Sequence, residues 1–175
     1  METQPLTVRK FILSNGALLG LSTIILSVIL YVMNMHLERS WITGVLGFAL
    51  MIVFIVLGIS QFKKSNGTFL SLSQALKIGV GIAVVAGVIG AIYQLIFMNV
   101  IEPDFMDKVM EKQYEQMVES NPNMTQEQLD MSIEMAKKFS SPAITAAFSL
   151  IASAFFGLII ALIAGLVMKK ENTYA

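Results

Sequence analysis

The sequence predicts an all-α integral membrane protein, with four transmembrane helices and a two-helix amphipathic extracytoplasmic insert between the third and the fourth. Three observations carry this. First, 55% of the 175 residues are hydrophobic and 14% are charged, with a mean hydropathy of +0.72. Soluble domains carry about 25% charged residues, and a chain this short and apolar has too few polar side chains to cover a water-facing surface. Disordered chains are poor in hydrophobics, which excludes that class too. Second, the charges avoid four long runs. These are Phe11–Met35 with 25 residues, Ser40–Phe62 with 23, Ile78–Ile101 with 24 and Phe139–Met168 with 30. Third, the 37 residues from Glu102 to Lys138 hold nine acids and four lysines, too long a stretch to be structureless.

A helix needs roughly 20 apolar residues to cross the hydrocarbon. Backbone groups in lipid must pair within their own segment, so the four runs should be helices. The chain reads as one membrane domain with spans at about 11–35, 40–62, 78–101 and 141–168 and the insert at 102–138. Arg9 and Lys10 ahead of the first run would suit a signal peptide. Its uncharged core is longer than the roughly 7–15 residues of an h-region, however, so the run is expected to stay as a helix.

Between the second and third spans, Asn66-Gly67 signals a turn. Ser71 followed by Gln74 fits a capping box, so a helix is expected to start there. Phe69, Leu72 and Leu76 can face lipid while Lys77 snorkels to the interface. In the insert, Pro103 suits the first turn of a helix. Phe105, Met106, Val109, Met110, Gln113 and Met117 then share one face, with Asp107, Lys108, Glu111, Lys112, Glu115 and Glu119 on the other. This helix is amphipathic, and Ser120-Asn121-Pro122-Asn123 ends it. Thr125 and Gln128 form a second capping box, with Met124 and Leu129 spaced as a hydrophobic staple. Leu129, Ser132, Ile133, Ala136 and Phe139 line one face of this second helix. Ser141-Pro142 starts the last span. Surface helices that bind anionic lipid are usually basic. These are acidic, so their apolar faces are expected to pack on each other, on the bundle end or on a partner.

Lys and Arg in the flanks set the orientation. Arg9, Lys10, Lys63, Lys64, Lys77, Lys169 and Lys170 fall on one side. Arg39, Lys108, Lys112, Lys137 and Lys138 fall on the other. The excess predicts both termini in the cytoplasm and the insert outside, with Tyr31 and Trp41 at the outer interface.

No Asp, Glu, Lys, Arg or His lies inside any run, whereas proton relays and ion pathways usually use such groups. Gln94 is the amide furthest from a span end and is the one candidate polar contact for a pore or ligand. Small residues recur every four positions: Gly79, Ala83, Gly87 and Ala91 in the third span, and Ser149, Ser153, Gly157, Ala161 and Gly165 in the fourth. Each series makes a ridge that lets backbones approach. Close packing of the two spans is expected, with a homo-oligomer on one ridge as the alternative. Six of the twelve methionines lie in the insert. Thioethers can bind Cu(I), but Met more commonly fills amphipathic faces, and no Cys supports a site. His36 reads as an interfacial residue, with pH sensing as its second reading. No nucleophile–base pair, metal cluster or phosphate loop is present, so no cofactor and no enzyme activity are expected. Zero net charge without a basic stripe argues against nucleic acid.

Lys63-Lys64, the segment Asn66-Gly67-Thr68-Phe69-Leu70-Ser71-Leu72-Ser73-Gln74-Ala75-Leu76-Lys77-Ile78-Gly79 and the acidic insert before the last span together resemble the domain-of-unknown-function family 4199. The resemblance runs over about residues 7 to 170 and is best from Phe69 to Gly79. It implies a small integral protein of a bacterial inner membrane, with a periplasmic insert. It implies no activity and transfers no site residue. The expected partners are the lipid bilayer and a membrane or periplasmic protein that meets the helices or the insert. The expected function is non-enzymatic, exerted through helix or periplasmic-cap contacts with a partner; the alternative is a small transporter or channel component for a neutral solute.

Overall fold

The computed structural model describes residues 8–37 and 41–170; Arg39, counted in the orientation argument, lies outside them. The described residues form six α-helices: α1 Val8–Val32, α2 Trp41–Ser65, α3 Leu72–Ile96, α4 Phe105–Ser120, α5 Gln126–Phe139 and α6 Pro142–Met168. A π-helical turn, Phe97–Ile101, prolongs α3. Four helices are long and apolar enough to cross a membrane: α1, α2, α3 with its π-turn, and α6.

The local signals act where the sequence places them. Ser71 and Gln74 form a complete capping box at the start of α3, and Thr125 and Gln128 form another at α5. Ser141 caps α6 ahead of Pro142. Gly67 has φ +62° in the predicted turn, where the absence of Cβ removes the usual penalty. Helix bounds differ from the uncharged runs because charges at a helix end remain helical. Thus α1 already includes Arg9 and Lys10, and α2 continues past Lys63 and Lys64 to Ser65. Pro103 stands before α4 rather than in its first turn. The chain becomes extended at Glu102 and turns through a Phe105 N–H to Glu102 C=O bond of 3.0 Å, which delays the helix.

α3 is the central helix and packs most extensively on α6 and α1. The two small-residue ridges face each other. A Cβ at Gly79 would collide with Ala161, and one at Gly157 with Ala83; at Gly165 it would come within 2.9 Å of Ala75. The backbones of α3 and α6 therefore approach as only small residues allow. Ile55, Ile59, Phe62, Leu70, Ile78 and Ile82 are at most 2% exposed, so the core around α3 is filled towards the Lys63-Lys64 end, while an apolar hollow of about 310 Å³ lies between α2 and α6 there, lined by Val56, Ile160, Ala164 and Met168 among others. At that end Leu70 and Lys170 exchange two backbone hydrogen bonds of 2.9 Å each, tying the α2–α3 loop to the end of α6. Buried Asn15 on α1 donates to Gln61 on α2 at 3.0 Å.

α4 and α5 form a hairpin packed on itself, with Met110 and Leu129 as its buried residues. Phe139, predicted on the inner face of α5, is instead exposed, as are Met131 and Met135. The hairpin joins the bundle at what is here called the cap end.

Candidate functional site

The bundle is not evenly packed along its length. The buried residues of α2 are Ile55, Gly58, Ile59 and Phe62, all in its second half. Nothing lies within 4 Å of a Cβ built on Gly44 or Gly47. Around Gly44 and Gly47, α2 thus packs loosely, although Phe48 meets Phe156 of α6 with ring centroids 5.8 Å apart, and a cleft remains towards the cap end.

Two adjoining hollows occupy this cleft. One, of about 370 Å³, is lined mainly by Leu26, Leu30, Phe97, Met98 and Phe105, with Thr23, Ser27, His36, Tyr93 and Gln94 supplying polar atoms. The other, of about 200 Å³, reaches the middle of the bundle at Ala83, Gly87, Ser149 and Ser153. They share Thr23 and Gly47 in their walls. A mostly apolar hollow with few polar groups is the usual form of a small-molecule site.

Gln94, the amide singled out from the sequence, lines the larger hollow. Among the described residues, neither its side chain nor that of Ser27 has a hydrogen-bond partner. The Thr23 and Ser153 hydroxyls are engaged, donating to Gly20 and Ser149 carbonyls on their own helices at 2.8 Å each. Of the ridge residues, Ala83, Gly87, Ser149 and Ser153 also face the smaller hollow. The rest lie along α3 and α6 outside it.

The mouth of the cleft holds a polar cluster that sequence reasoning missed. The π-turn closes with a Glu102 N–H to Phe97 C=O bond of 2.8 Å, and this wider turn directs Phe97, Met98 and Glu102 into the protein. Insertions of this kind often occur at functional sites. Glu102 Oε2 lies 2.9 Å from His36 Nε2, with the two side chains 8% and 11% exposed. The approach is close but not aligned as a hydrogen bond, and His36 Nδ1 has no partner either. Tyr31 and Phe97 present ring edges to His36 and Phe105 stacks on it, with centroids 4.9, 6.3 and 6.1 Å away. Lys108 Nζ lies 2.8 Å from Glu102 Oε1 and 2.9 Å from Asp104 Oδ2. Its hydrogen bonds to Glu102 and Asp104 hold the Lys108 ammonium above the ordinary lysine range. The bond from Lys108 draws Asp104 below the usual carboxylate range.

One sequence signal pointed this way. His36 and Glu102 are each the first ionisable residue after an uncharged run, and the four-span plan puts both at the same end. Among the described residues, no group of three His, Cys, Asp or Glu side chains is arranged to hold a metal ion.

A family model described as a protein of unknown function (DUF4199) matches residues 14–170. No curated protein matches, and no solved structure matches.

Proposed function

The chain belongs to the DUF4199 family, and from that premise we propose that it is a multi-pass protein of the bacterial inner membrane that admits a small neutral solute into the cleft beside α2, as a transporter or channel component. Both termini are cytoplasmic in this reading, and the cap end faces the periplasm. The observation that carries it is the pair of adjoining hollows beside the loosely packed first half of α2, with the unpartnered Gln94 amide in the wall of the larger one. No free charge lines them, which suits an uncharged solute: a charged one would lose its hydration without gaining a counter-charge.

The test is solute entry into proteoliposomes, followed by light scattering with glycerol, erythritol and urea. Protein-dependent entry should be abolished by Gly47→Phe, which fills the cleft, and altered by Gln94→Leu. Entry unaffected by both variants would refute this reading.

A second reading rests on the exposed stripe Met131, Met135 and Phe139, which are 60%, 59% and 64% exposed along one face of α5. In it the protein acts without catalysis, through cap contacts with a membrane or periplasmic partner, or with a second copy. Apolar stripes of this kind mark contact surfaces. Pull-downs in mild detergent with and without residues 103–138 test it, and identical partner lists would count against it.

A further inference from the structure

The hollow of about 310 Å³ between α2 and α6 is separate from the cleft. Gly47 and Met51 of α2 border the cleft, whereas Phe48, Ile52 and Val56 border this hollow. Its wall residues are all apolar. Ile160 and Ala164 are buried at its base, and Ile163 and Val167 are exposed at its rim. Nearer the cap, Phe48 meets Phe156 with ring centroids 5.8 Å apart. From there the walls run along α6 to Met168, the last residue of that helix. The hollow is thus a groove on the side of the bundle, along helices long and apolar enough to lie in a bilayer.

Lipid tails are as apolar as these walls, so no hydrophobic gain draws an acyl chain out of the bilayer into the groove. An empty groove, however, forfeits the dispersion contacts of its lining. A chain from the bilayer fills it, and the head group decides which lipid that chain belongs to. The end of the groove is basic. Lys63 follows Val56 by seven residues, two helical turns on, and so lies on the groove side of α2. Lys169 directly follows Met168. Lys170 is engaged elsewhere: it donates to the Thr68 hydroxyl at 3.4 Å and lies over the Phe69 ring. Among the described residues, every Asp and Glu falls between Glu102 and Glu134, at the cap end. No described carboxylate therefore stands beside Lys63 and Lys169 to oppose an anionic head group.

We propose that the α2–α6 groove binds one anionic phospholipid, with an acyl chain along Val56, Ile160, Ala164 and Met168 and the phosphate between Lys63 and Lys169. Basic pockets between transmembrane helices take anionic head groups in this way. A lysine is a point charge on a flexible stem, so two of them meet a phosphate without a fixed geometry. The lipid lies in the leaflet at the lysine end, because the acidic hairpin at the cap end repels anionic head groups. It fills the gap between α2 and α6 with packed atoms. The site is independent of the solute cleft.

The test is native mass spectrometry of the full-length protein in mild detergent, titrated with phosphatidylglycerol or with phosphatidylcholine of the same acyl chains. Each lysine at a membrane surface favours anionic lipid about fivefold, so the first phosphatidylglycerol is expected to bind about tenfold or more tightly than the first phosphatidylcholine. Lys63→Gln and Lys169→Gln together should remove most of that preference. Lys10→Gln, on α1 and outside the groove, should leave it in place. Val56→Trp fills the groove, and Ile163→Trp covers it from the exposed rim without entering the packed core. Each should abolish the first tight lipid, and the second variant serves if the first does not fold. Equal binding of the two lipids to the parent would overturn the proposal. So would a preference that Lys10→Gln lowers as much as the double variant does, or one that survives the tryptophan variants. A lipid-free dimer that both tryptophan variants dissociate would give the groove to a second copy instead.

Discussion

Asn15 on α1 donates a 3.0 Å hydrogen bond to the Gln61 side chain on α2, joining the two helices where α2 is still packed against the bundle. The same amide also donates to Phe11 C=O at 3.0 Å. Asn15 is 2% exposed. Interhelical bonds of this kind contribute about 0.6 kcal/mol on average and at most about 1.7. A double-mutant cycle of Asn15→Leu and Gln61→Leu, read by thermal unfolding in detergent, should return a coupling within that range. Coupling indistinguishable from zero would mean that the bond does not stabilise the pairing of α1 and α2.

Gly79 and Gly44 should respond oppositely to alanine. At Gly79 the added methyl meets Ala161 across the tightest approach of α3 to α6, so Gly79→Ala should destabilise by about 1–3 kcal/mol, as overpacking does. At Gly44 the space is open, and Gly44→Ala should stabilise by up to about 1 kcal/mol through helix propensity. Melting in one detergent compares the two. Equal effects would contradict the loose packing assigned to the first half of α2.

Removing the carboxylate at the mouth should cost more than removing a surface charge. Glu102→Ala leaves Lys108 with Asp104 alone and His36 with no anion, and hydrogen bonds to charged groups are worth about 1.5–3 kcal/mol. Glu111→Ala, on the exposed face of α4, should stay within about 0.5 kcal/mol. Similar melting temperatures for the two variants would show that the mouth cluster does not stabilise the fold.

Lys108 and Asp104 should contribute nothing to pH effects in the neutral range. Asp104 is lowered from the ordinary carboxylate value by its bond from Lys108. Its contribution to stability is present above that value and lost as the pH falls through the folded one, on the acid side. Lys108 is raised, so its contribution is complete below the ordinary lysine value and lost only in strong alkali. Melting temperature against pH should therefore show an acid-side fall that Asp104→Asn reduces. An acid-side fall that is the same in Asp104→Asn as in the parent would show that the Lys108–Asp104 pair does not stabilise the fold.

Opposite sides are expected for the hairpin turn and the C-terminus. Reporter fusions at residue 121 and after residue 170 should give opposite compartment signals. Matching signals would remove the four-span topology.

Some features of this protein were legible because they are short-range. The capping boxes at Ser71 and Thr125 each need only a residue and its third neighbour, and both formed. Four uncharged runs had to become helices because lipid offers no other partner for their backbones. The ridges of Gly79 and Gly157 could be read from a four-residue period, although only the packed bundle shows which glycine meets which alanine. Gln94 was visible as a polar side chain deep in a span. That it borders a hollow depends on how loosely α2 packs, which is a property of the assembled helices.

The sequence by itself determined that the chain is helical, how many helices can span a bilayer and where the capped ones, α3, α5 and α6, start, because propensity, capping and hydropathy act within a few residues of themselves. Only the tertiary structure decided that α2 packs loosely around Gly44 and Gly47, that Met131 and Met135 are left exposed on the cap, and that His36 meets Glu102. Those outcomes depend on which surfaces close together in space. Residues remote in the chain become neighbours through packing, and no local pattern encodes the distance between them.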